Sequence, residues 1–237
     1  MAVEFTSGIV LGAVALERRL QLIAHNLANL DTPGFKREVM ALKARSMGQG
    51  GYPLVVEIAE RVPDLSPGTM KPTGNPLDLA IGSEGFFVVE TPQGVRYTRK
   101  GTFRVDEEGY LVTSQGYRVL GKGGAIALEG AEVVVNEAGD VIVGGEVVDS
   151  LRVVSFPKGA KLIREGDGLF RFEGPEGELT EVEDPQVKQG FLEGSNVSPV
   201  LEMVKLIEVS RIFEAYQRAL HTVDDIARGA LEEIMRV

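Results

Sequence analysis

The chain contains no cysteine among its 237 residues. This absence excludes disulfides, thiolate nucleophiles and thiolate metal sites together. It leaves the cellular compartment open, because a chain without thiols is indifferent to redox conditions.

An excess of positive charge is also lacking. Lys and Arg number 25 against 35 Asp and Glu, which gives a formal net charge of −10. Phosphate binding needs clustered Lys and Arg, so this balance argues against nucleic acid as a partner. It also disfavours binding to an anionic membrane surface.

Long hydrophobic runs are missing as well. The longest apolar run near the start, residues 9–16, is interrupted by Gly12 and is far too short to span a bilayer. A secretory signal needs a basic region before its apolar stretch, but Glu4 is the only charge there. We therefore expect no transmembrane helix, no direct membrane insertion and no cleavable signal.

Motifs that carry chemistry are scarce. The segment GYRVLGKGG, residues 116–124, fits GxxxxGK but has Gly123 where a phosphate loop needs Ser or Thr for magnesium. His25 and His221 lie on the two terminal segments and could meet if these pair as helices, but His25 has no carboxylate three or four residues later that could share a metal with it. Residues 106–109 resemble a fragment of a calcium loop, but the ligand spacing is missing and a hairpin turn is the better interpretation. We expect no catalytic, cofactor or metal site.

Glycine, by contrast, is abundant at 29 residues, which indicates many turns and a large β component. Between residues 75 and 185, runs such as GFFVVET and VRYTRKGTFRV are rich in β-branched and aromatic side chains. Turn signals such as Pro92-Gln93-Gly94 separate these runs at short intervals. The pattern predicts a central, mostly antiparallel β domain.

Both ends of the chain carry apolar residues in alternating steps of four and three, which is a heptad pattern. The first stripe consists of Ile9, Ala13, Leu16, Leu20, Ile23, Leu27 and Leu30. The second stripe consists of Val209, Phe213, Tyr216, Leu220, Val223, Ala227, Ala230 and Ile234. Ser7 or Thr6 is the expected N-cap of the first helix, and Ser198-Pro199 predicts the start of the second. That second helix would run for about 38 residues.

These patterns together predict an α+β fold. Long N- and C-terminal α-helices are expected to pair as a coiled-coil-like domain, with the central β domain between them. The expected divisions are an N-terminal helix over 1–35, an extended connector over 36–74, the β domain over 75–185 and a C-terminal helix over 186–237. Such a chain favours an assembly subunit, with Ile9, Leu16, Leu20, Ile23, Leu27, Leu30, Val209, Phe213, Tyr216, Leu220, Val223 and Ile234 as its packing residues. A two-helix stalk within one subunit, a membrane-surface binder and a nucleotide- or metal-dependent enzyme stay as alternatives.

The segment AHNLANLDTPGFKRE, residues 24–38, lies where the first helix ends. Pro33-Gly34 is expected to stop that helix, because Pro restricts the residue before it and Gly accepts positive φ. Asn26 and Asn29 can bond freed backbone groups, and Phe35 can anchor the turn by packing.

Three sequence blocks, in order along the chain, carry a resemblance to a known family. They are ERRLQLIAHNLANLDTPGFKRE, TGNPLDLAIGSEGFFVVETPQGVRYTRKGTF and QGFLEGSNVSPVLEMVKLIEVSRIFEAYQ. Each resembles a signature of the flagellar rod and hook protein family. One departure is Pro33, where that family more often has Thr.

The resemblance implies a non-enzymatic subunit of the bacterial flagellar basal-body rod, which crosses the periplasm and forms part of the drive shaft of the motor. Its implied partners are itself, other flagellar rod and hook axial proteins and the flagellar type III export apparatus. The turn residues that match the family motif are Asn26, Asn29, Thr32, Gly34 and Phe35. A chain without cysteine suits passage into an oxidising space.

Overall fold

The computed structural model describes the backbone of residues 2–45, 55–128 and 133–234. It describes the side chains of residues 12–41, 60–128, 133–222 and 225. No helix in these segments combines the length and the apolar character needed to cross a membrane.

The chain divides into two compact units. The first, which we call the helical unit, comprises Met1–Ala28, Val39–Arg61 and Ser198–Val237. The second, which we call the β unit, comprises Asn29–Glu38 and Val62–Val197.

The helical unit contains both α-helices of the described residues, α1 (Ala2–Ala28) and α2 (Pro199–Ile234). A two-stranded sheet, β1 (Glu38–Arg45) with β2 (Val55–Pro63), lies mostly in the same unit. As the sequence predicts, α2 begins at Pro199, and the Glu202 amide donates to the Ser198 carbonyl over 3.0 Å. The N-cap prediction for α1 is wrong, because Thr6 and Ser7 lie inside a helix that begins at Ala2.

The predicted coiled-coil-like pairing of two long terminal helices is also wrong. Helix α1, with 27 residues, is much shorter than α2, with 36. Their described contacts include a buried polar one, in which Asn26 Nδ2 donates to Glu202 Oε2 over 3.5 Å, and a close approach of Tyr216 to Gly12. A coiled coil needs apolar knobs at successive a and d positions instead. Heptad spacing predicts an apolar helix face, but it does not specify which surface covers that face.

The β unit is built from short strands, and its recorded pairings are all antiparallel. The strands are β3 (Met70–Pro72), β4 (Leu79–Ile81), β5 (Phe86–Thr91), β6 (Gly94–Thr98), β7 (Phe103–Val105), β8 (Leu111–Thr113), β9 (Arg118–Val119), β10 (Val133–Val135), β11 (Asp140–Val143), β12 (Glu146–Ser150), β13 (Val153–Ser155), β14 (Leu162–Glu165), β15 (Leu169–Phe172), β16 (Thr180–Glu181), β17 (Val187–Gln189) and β18 (Phe191–Glu193). A 3-10 turn covers Glu176–Glu178. The central part of the chain therefore consists largely of β-strands.

One large sheet organises these strands. Its order is β14-β15-β6-β5-β9-β8-β7, with β13 paired to both β5 and β16. A three-stranded sheet has the order β10-β11-β12, and two pairs, β17-β4 and β18-β3, complete the described sheets of the unit.

Strand β5 lies between the two hydrophobic cores of the β unit. Phe87 and Val89 belong to one core, while Phe86 and Val88 belong to the other. Side chains alternate between the two faces of a strand, so a strand covered on both faces reads as a continuous apolar run. This explains the run FFVV in the sequence.

Two turn predictions concern the segments that resemble ligand-binding loops. The carboxylate of Asp106 accepts hydrogen bonds from the amides of Glu108 and Tyr110 over 3.0 and 2.8 Å, and it closes the hairpin between β7 and β8. The predicted hairpin turn over residues 106–109 is thus confirmed. Residues 116–124 form β9 and the turns on either side of it.

Candidate functional site

The segment that follows α1 is a pair of successive turns. The Thr32 amide donates to the Asn29 carbonyl, and the Phe35 amide donates to the Thr32 carbonyl, each over 3.2 Å. The Thr32 hydroxyl also donates to the Asn29 side-chain oxygen over 3.2 Å. The polar residues of the family motif therefore hold the shape of this turn.

Gly34 occupies a position that other residues cannot adopt without strain. Its φ is +67°, in the left-handed region, as the sequence predicts. Its amide donates to the Glu193 carbonyl over 2.7 Å, and a Cβ at this position would lie 2.5 Å from the carbonyl carbon of Arg99. The backbone of the turn thus lies directly against two other segments of the β unit.

Phe35 packs beneath an arginine. Its side chain is buried, and the Arg164 guanidinium carbon lies 4.2 Å from the centre of its ring, a cation–π arrangement. Arg164 Nε also pairs with the Glu38 carboxylate over 3.0 Å. Burial lowers the pKa of Arg164, and the charge of Glu38 opposes that effect.

Three buried charged residues lie beside this turn, and we call them the Glu193 cluster: Lys36, Arg99 and Glu193. None has more than 3% of its surface exposed. Lys36 Nζ lies 2.7 Å from Glu193 Oε1, and Arg99 Nε lies 3.3 Å from Glu193 Oε2. The cluster therefore joins two cations to a single carboxylate.

Backbone groups complete the coordination of the cluster. Lys36 Nζ donates to the Ser66 carbonyl over 2.8 Å, and the Gly68 amide donates to Glu193 Oε1 over 2.7 Å. Arg99 also donates to the Ile81 carbonyl over 3.2 Å. Burial lowers the pKa of Lys36 below its ordinary value, although the charge of Glu193 and its hydrogen bond act in the opposite direction.

Asn196 connects the end of the β unit to its beginning. Its side-chain oxygen accepts from the Arg37 amide over 2.6 Å, and its Nδ2 donates to the carbonyls of Asp64 and Ser66 over 2.9 and 3.0 Å. Arg37 in turn pairs with the Asp64 carboxylate over 2.7 Å. Burial would raise the pKa of Asp64, but hydrogen bonds from Ser66 and Arg37 outweigh it and lower that pKa.

The Glu193 cluster also brings together one residue from each of the three sequence blocks. Lys36 lies in the first block, Arg99 in the second and Glu193 in the third. Residues far apart in sequence thus meet at one buried point, where the chain enters and leaves the β unit. Sequence reasoning missed this cluster. Each block contains one of the three charged residues of the cluster, and each of these residues could have been tested for a charged partner in the other blocks.

Most of the predicted packing residues whose side chains are described lie on the covered side of α1 or α2, but Leu30 lies in the turn that follows the end of α1 at Ala28. Ile23 and Val209 are buried. The side chains that are partly covered are those of Leu16, Leu20, Leu27, Leu30, Phe213, Tyr216 and Leu220. The side chains of Ile9, Val223 and Ile234 lie outside the described residues.

An exposed apolar face in the first turns of α2 was missed by the sequence reasoning, which found a second stripe only at Ile212, Ala219 and Ile226. We call it the α2 face: Val200, Met203, Val204 and Ile207. These side chains are 49–68% exposed, and their spacing of i, i+3, i+4 and i+7 places them on one side of the helix. They lie opposite the buried Val209, since a helix turns about 100° per residue. Testing α2 for a second stripe of this spacing would have found the face.

Sites for small ligands are poorly developed in the described part of the chain. It holds no group of three or more His, Asp or Glu side chains placed to bind a metal ion. A cavity of about 180 Å³ is lined by residues that include Phe86, Phe156 and Arg99. Two guanidinium nitrogens of Arg99 already donate to the carbonyls of Ile81 and Ser83, so these nitrogens are engaged within the protein.

Three family models match the chain in the order in which the motifs occur. Residues 12–36 match the flagella basal body rod protein model, and residues 80–143 match the flagellar hook protein FlgE/F/G D1 domain. Residues 188–233 match the C-terminal model of the flagellar basal body rod FlgEFG proteins.

Curated relatives extend the match over nearly the whole chain. The flagellar basal-body rod protein FlgF of Caulobacter vibrioides is 34% identical over 94% of this chain and 95% of the relative. FlgF of Escherichia coli is 35% identical over 87% of this chain and 88% of the relative. FlgG of Bacillus subtilis is 27% identical over 91% and 93%, respectively.

The family prediction made from the three sequence blocks is confirmed, with FlgF-type proteins more similar than the FlgG type. Membership also assigns the protein to the rod of the flagellar basal body. Since matches above 30% identity span almost the full length of both chains, this protein belongs to the flagellar basal-body rod protein family.

Proposed function

We propose that this chain is a structural, non-enzymatic rod subunit that assembles with copies of itself and with other rod and hook axial proteins. The observation that carries the proposal is the exposed α2 face. Contiguous apolar patches on a free subunit usually mark a surface that a partner covers. Family membership makes a neighbouring rod subunit the natural occupant.

The α2 face can supply a substantial part of an assembly interface. Fully burying a side chain such as Val, Ile or Met contributes about 1.5–3 kcal/mol relative to leaving it exposed. The four residues of the face keep 49–68% of their surface exposed, so much of that free energy is still available to a contact between subunits.

Exchange of Met203 for aspartate tests this proposal. Met203 is exposed in the free subunit, so Met203→Asp should leave the melting temperature unchanged while it removes the protein from isolated basal bodies. A carboxylate buried without a partner is strongly unfavourable. Gln217→Asp is the matched control, because it places a carboxylate at an exposed polar position of the same helix. Normal rods in cells with Met203→Asp would contradict the proposal.

We further propose that the protein reaches the rod through the flagellar type III export apparatus and serves there as part of the drive shaft. The support is the family resemblance. In cells with an inactive exporter, the protein should accumulate inside and be absent from the periplasm. Its presence in the periplasm of such cells would contradict this route.

A distal rod or hook-type subunit is the alternative within the family. The family resemblance implies that FlgF-type proteins are proximal and FlgG-type proteins distal rod subunits. The identity of 34–36% to FlgF proteins, against 27–30% to FlgG proteins, therefore supports the proximal position. Gold labelling of an epitope-tagged chain in isolated basal bodies separates the two positions. For a proximal subunit, the label should lie at the cell-proximal end of the rod.

A further inference from the structure

All of the sulfur in the chain belongs to thioethers. The sequence has six methionines but neither cysteine nor tryptophan. An oxidant that reaches such a chain meets no thiol, so methionine is the side chain that it oxidises most readily. Susceptibility to oxidation also follows exposure to solvent. The position of each methionine in the fold therefore decides which of them reacts first.

Among the methionines whose side chains the structure describes, Met203 is the most exposed. Solvent reaches 54% of its surface. Met40 on β1 and Met70 on β3 are half-buried. The other three methionines lie outside the described side chains. The free protein thus presents the sulfur of Met203 to solvent at the centre of the α2 face.

The surroundings of Met203 on the helix are entirely apolar. Residues three and four positions away lie beside it on the surface of α2. These positions hold Pro199, Val200, Leu206 and Ile207. Oxidation to a sulfoxide would convert this apolar side chain into a polar one. The new dipole would then lie inside an aliphatic patch, where these four neighbours offer no side-chain hydrogen-bond donor to it.

We propose that Met203 is a site of reversible oxidation by peroxides, and that its oxidation closes the α2 face to assembly. The thioether sulfur attacks the peroxide, whose O–O bond breaks. One oxygen forms the S–O bond of the sulfoxide, and the other leaves with both protons as water. The sulfur is thereby oxidised and the peroxide reduced. Enzymes that reduce methionine sulfoxide restore the apolar side chain.

The proposal rests on the proposed function, since it needs the α2 face to be a surface that assembly covers. Burial of a polar group without a hydrogen-bond partner is unfavourable, so a subunit with an oxidised Met203 joins the rod poorly. The modification acts on the free subunit, because a contact that covers Met203 also shields its sulfur from the oxidant.

Peptide mass spectrometry of the free protein in hydrogen peroxide tests the chemical step. Met203 should form sulfoxide at least about twofold faster than Met40 or Met70, because more of its surface is exposed. The melting temperature should stay unchanged when Met203 alone is oxidised. Oxidation of Met203 no faster than that of Met70 would overturn the proposal.

Rod formation under peroxide tests the consequence, in cells that lack methionine sulfoxide reductases. Peroxide should lower the yield of complete rods at least about tenfold in cells with the native chain, which corresponds to about 1.4 kcal/mol. Cells with Met203→Leu should form as many rods with peroxide as without it. Met70→Leu is the matched control, because it removes a methionine from β3 and should leave the sensitivity to peroxide unchanged. Equal sensitivity of Met203→Leu and the native chain would overturn the proposal.

Two further substitutions at the same position need no oxidant. Met203→Gln places a neutral polar group there, so it should lower the rod yield as peroxide does for the native chain. Met203→Asp separates this inference from the proposed function. Normal rods with Met203→Asp would mean that the α2 face is not an assembly surface, and both would fail. Loss of rods with Met203→Asp but normal rods with Met203→Gln would overturn the inference alone.

Discussion

Removal of the negative charge of Glu193 should destabilise the protein strongly. Glu193→Gln keeps the shape of the side chain, and its amide oxygen can still accept from the Gly68 amide. It leaves the charges of Lys36 and Arg99 buried without an anion between them. Loss of one partner of a buried ion pair typically costs about 3–5 kcal/mol. For a chain of this length, that cost corresponds to a fall of about 6–20 °C in melting temperature.

Lys36→Met should have a far smaller effect, although it removes a residue from the same cluster. It leaves one cation, Arg99, beside one carboxylate, Glu193. The Ser66 carbonyl keeps the hydrogen bond from Asn196 Nδ2. Burial of the ammonium group costs free energy, and the same burial lowers the pKa of Lys36 in the folded protein. The substitution removes this cost. We expect a change within about 1 kcal/mol.

Urea unfolding of the full chain, followed by circular dichroism, measures both variants. Linear extrapolation gives the free energy of unfolding in water, and unchanged slopes show that the same surface is exposed on unfolding. The reasoning is refuted if Lys36→Met costs as much as Glu193→Gln, since charge balance would then not be the cause. It is equally refuted if Glu193→Gln costs less than about 1 kcal/mol.

Three further predictions follow from the described contacts. Gly34→Ala should lower the free energy of unfolding clearly more than Gly74→Ala does. Both glycines have positive φ, but only at Gly34 do backbone atoms occupy the place of a Cβ. Equal losses in urea unfolding would contradict this prediction. Since the pKa of Asp64 is lowered below 3.8, its contribution to stability is fully present above that pH and is lost as pH falls through the folded value. The free energy of unfolding should therefore drop less between pH 5 and pH 3 in Asp64→Asn than in the native chain, and an equal drop would refute this assignment. Val209→Asp should reduce the helical circular dichroism signal, because Val209 is fully buried. Leu201→Asp should leave the signal unchanged, because Leu201 is exposed. An equal loss of signal in both variants would contradict the burial pattern.

Local sequence signals predicted local structure well. Ser198-Pro199 predicted the start of α2, and Gly34 has the predicted positive φ, because each signal acts through the backbone of its own residues. Pro33-Gly34 does not itself end α1, because the helix stops at Ala28 and two turns over residues 29–35 come between. The heptad stripes predicted helices for the same reason. They did not predict the manner in which α1 and α2 contact each other, and the coiled-coil expectation was therefore wrong.

The Glu193 cluster illustrates what a sequence cannot reveal without its topology. Lys36 and Glu193 are 157 residues apart, and they meet because the antiparallel pairing of β18 with β3 brings the end of the β unit back to its beginning. The α2 face escaped notice for a different reason. Its spacing was visible in the sequence, but whether a stripe is covered depends on the packing of the whole unit.

The accessibility of position 203 tests the central claim most directly. The native chain has no cysteine, so Met203→Cys introduces a single thiol whose reaction with a maleimide can be measured in the free protein and in isolated basal bodies. If the α2 face is the contact between rod subunits, the thiol should react readily in the free protein and at least about tenfold more slowly in the basal body, where the contact excludes the reagent. Equal labelling rates in the two states would contradict the account.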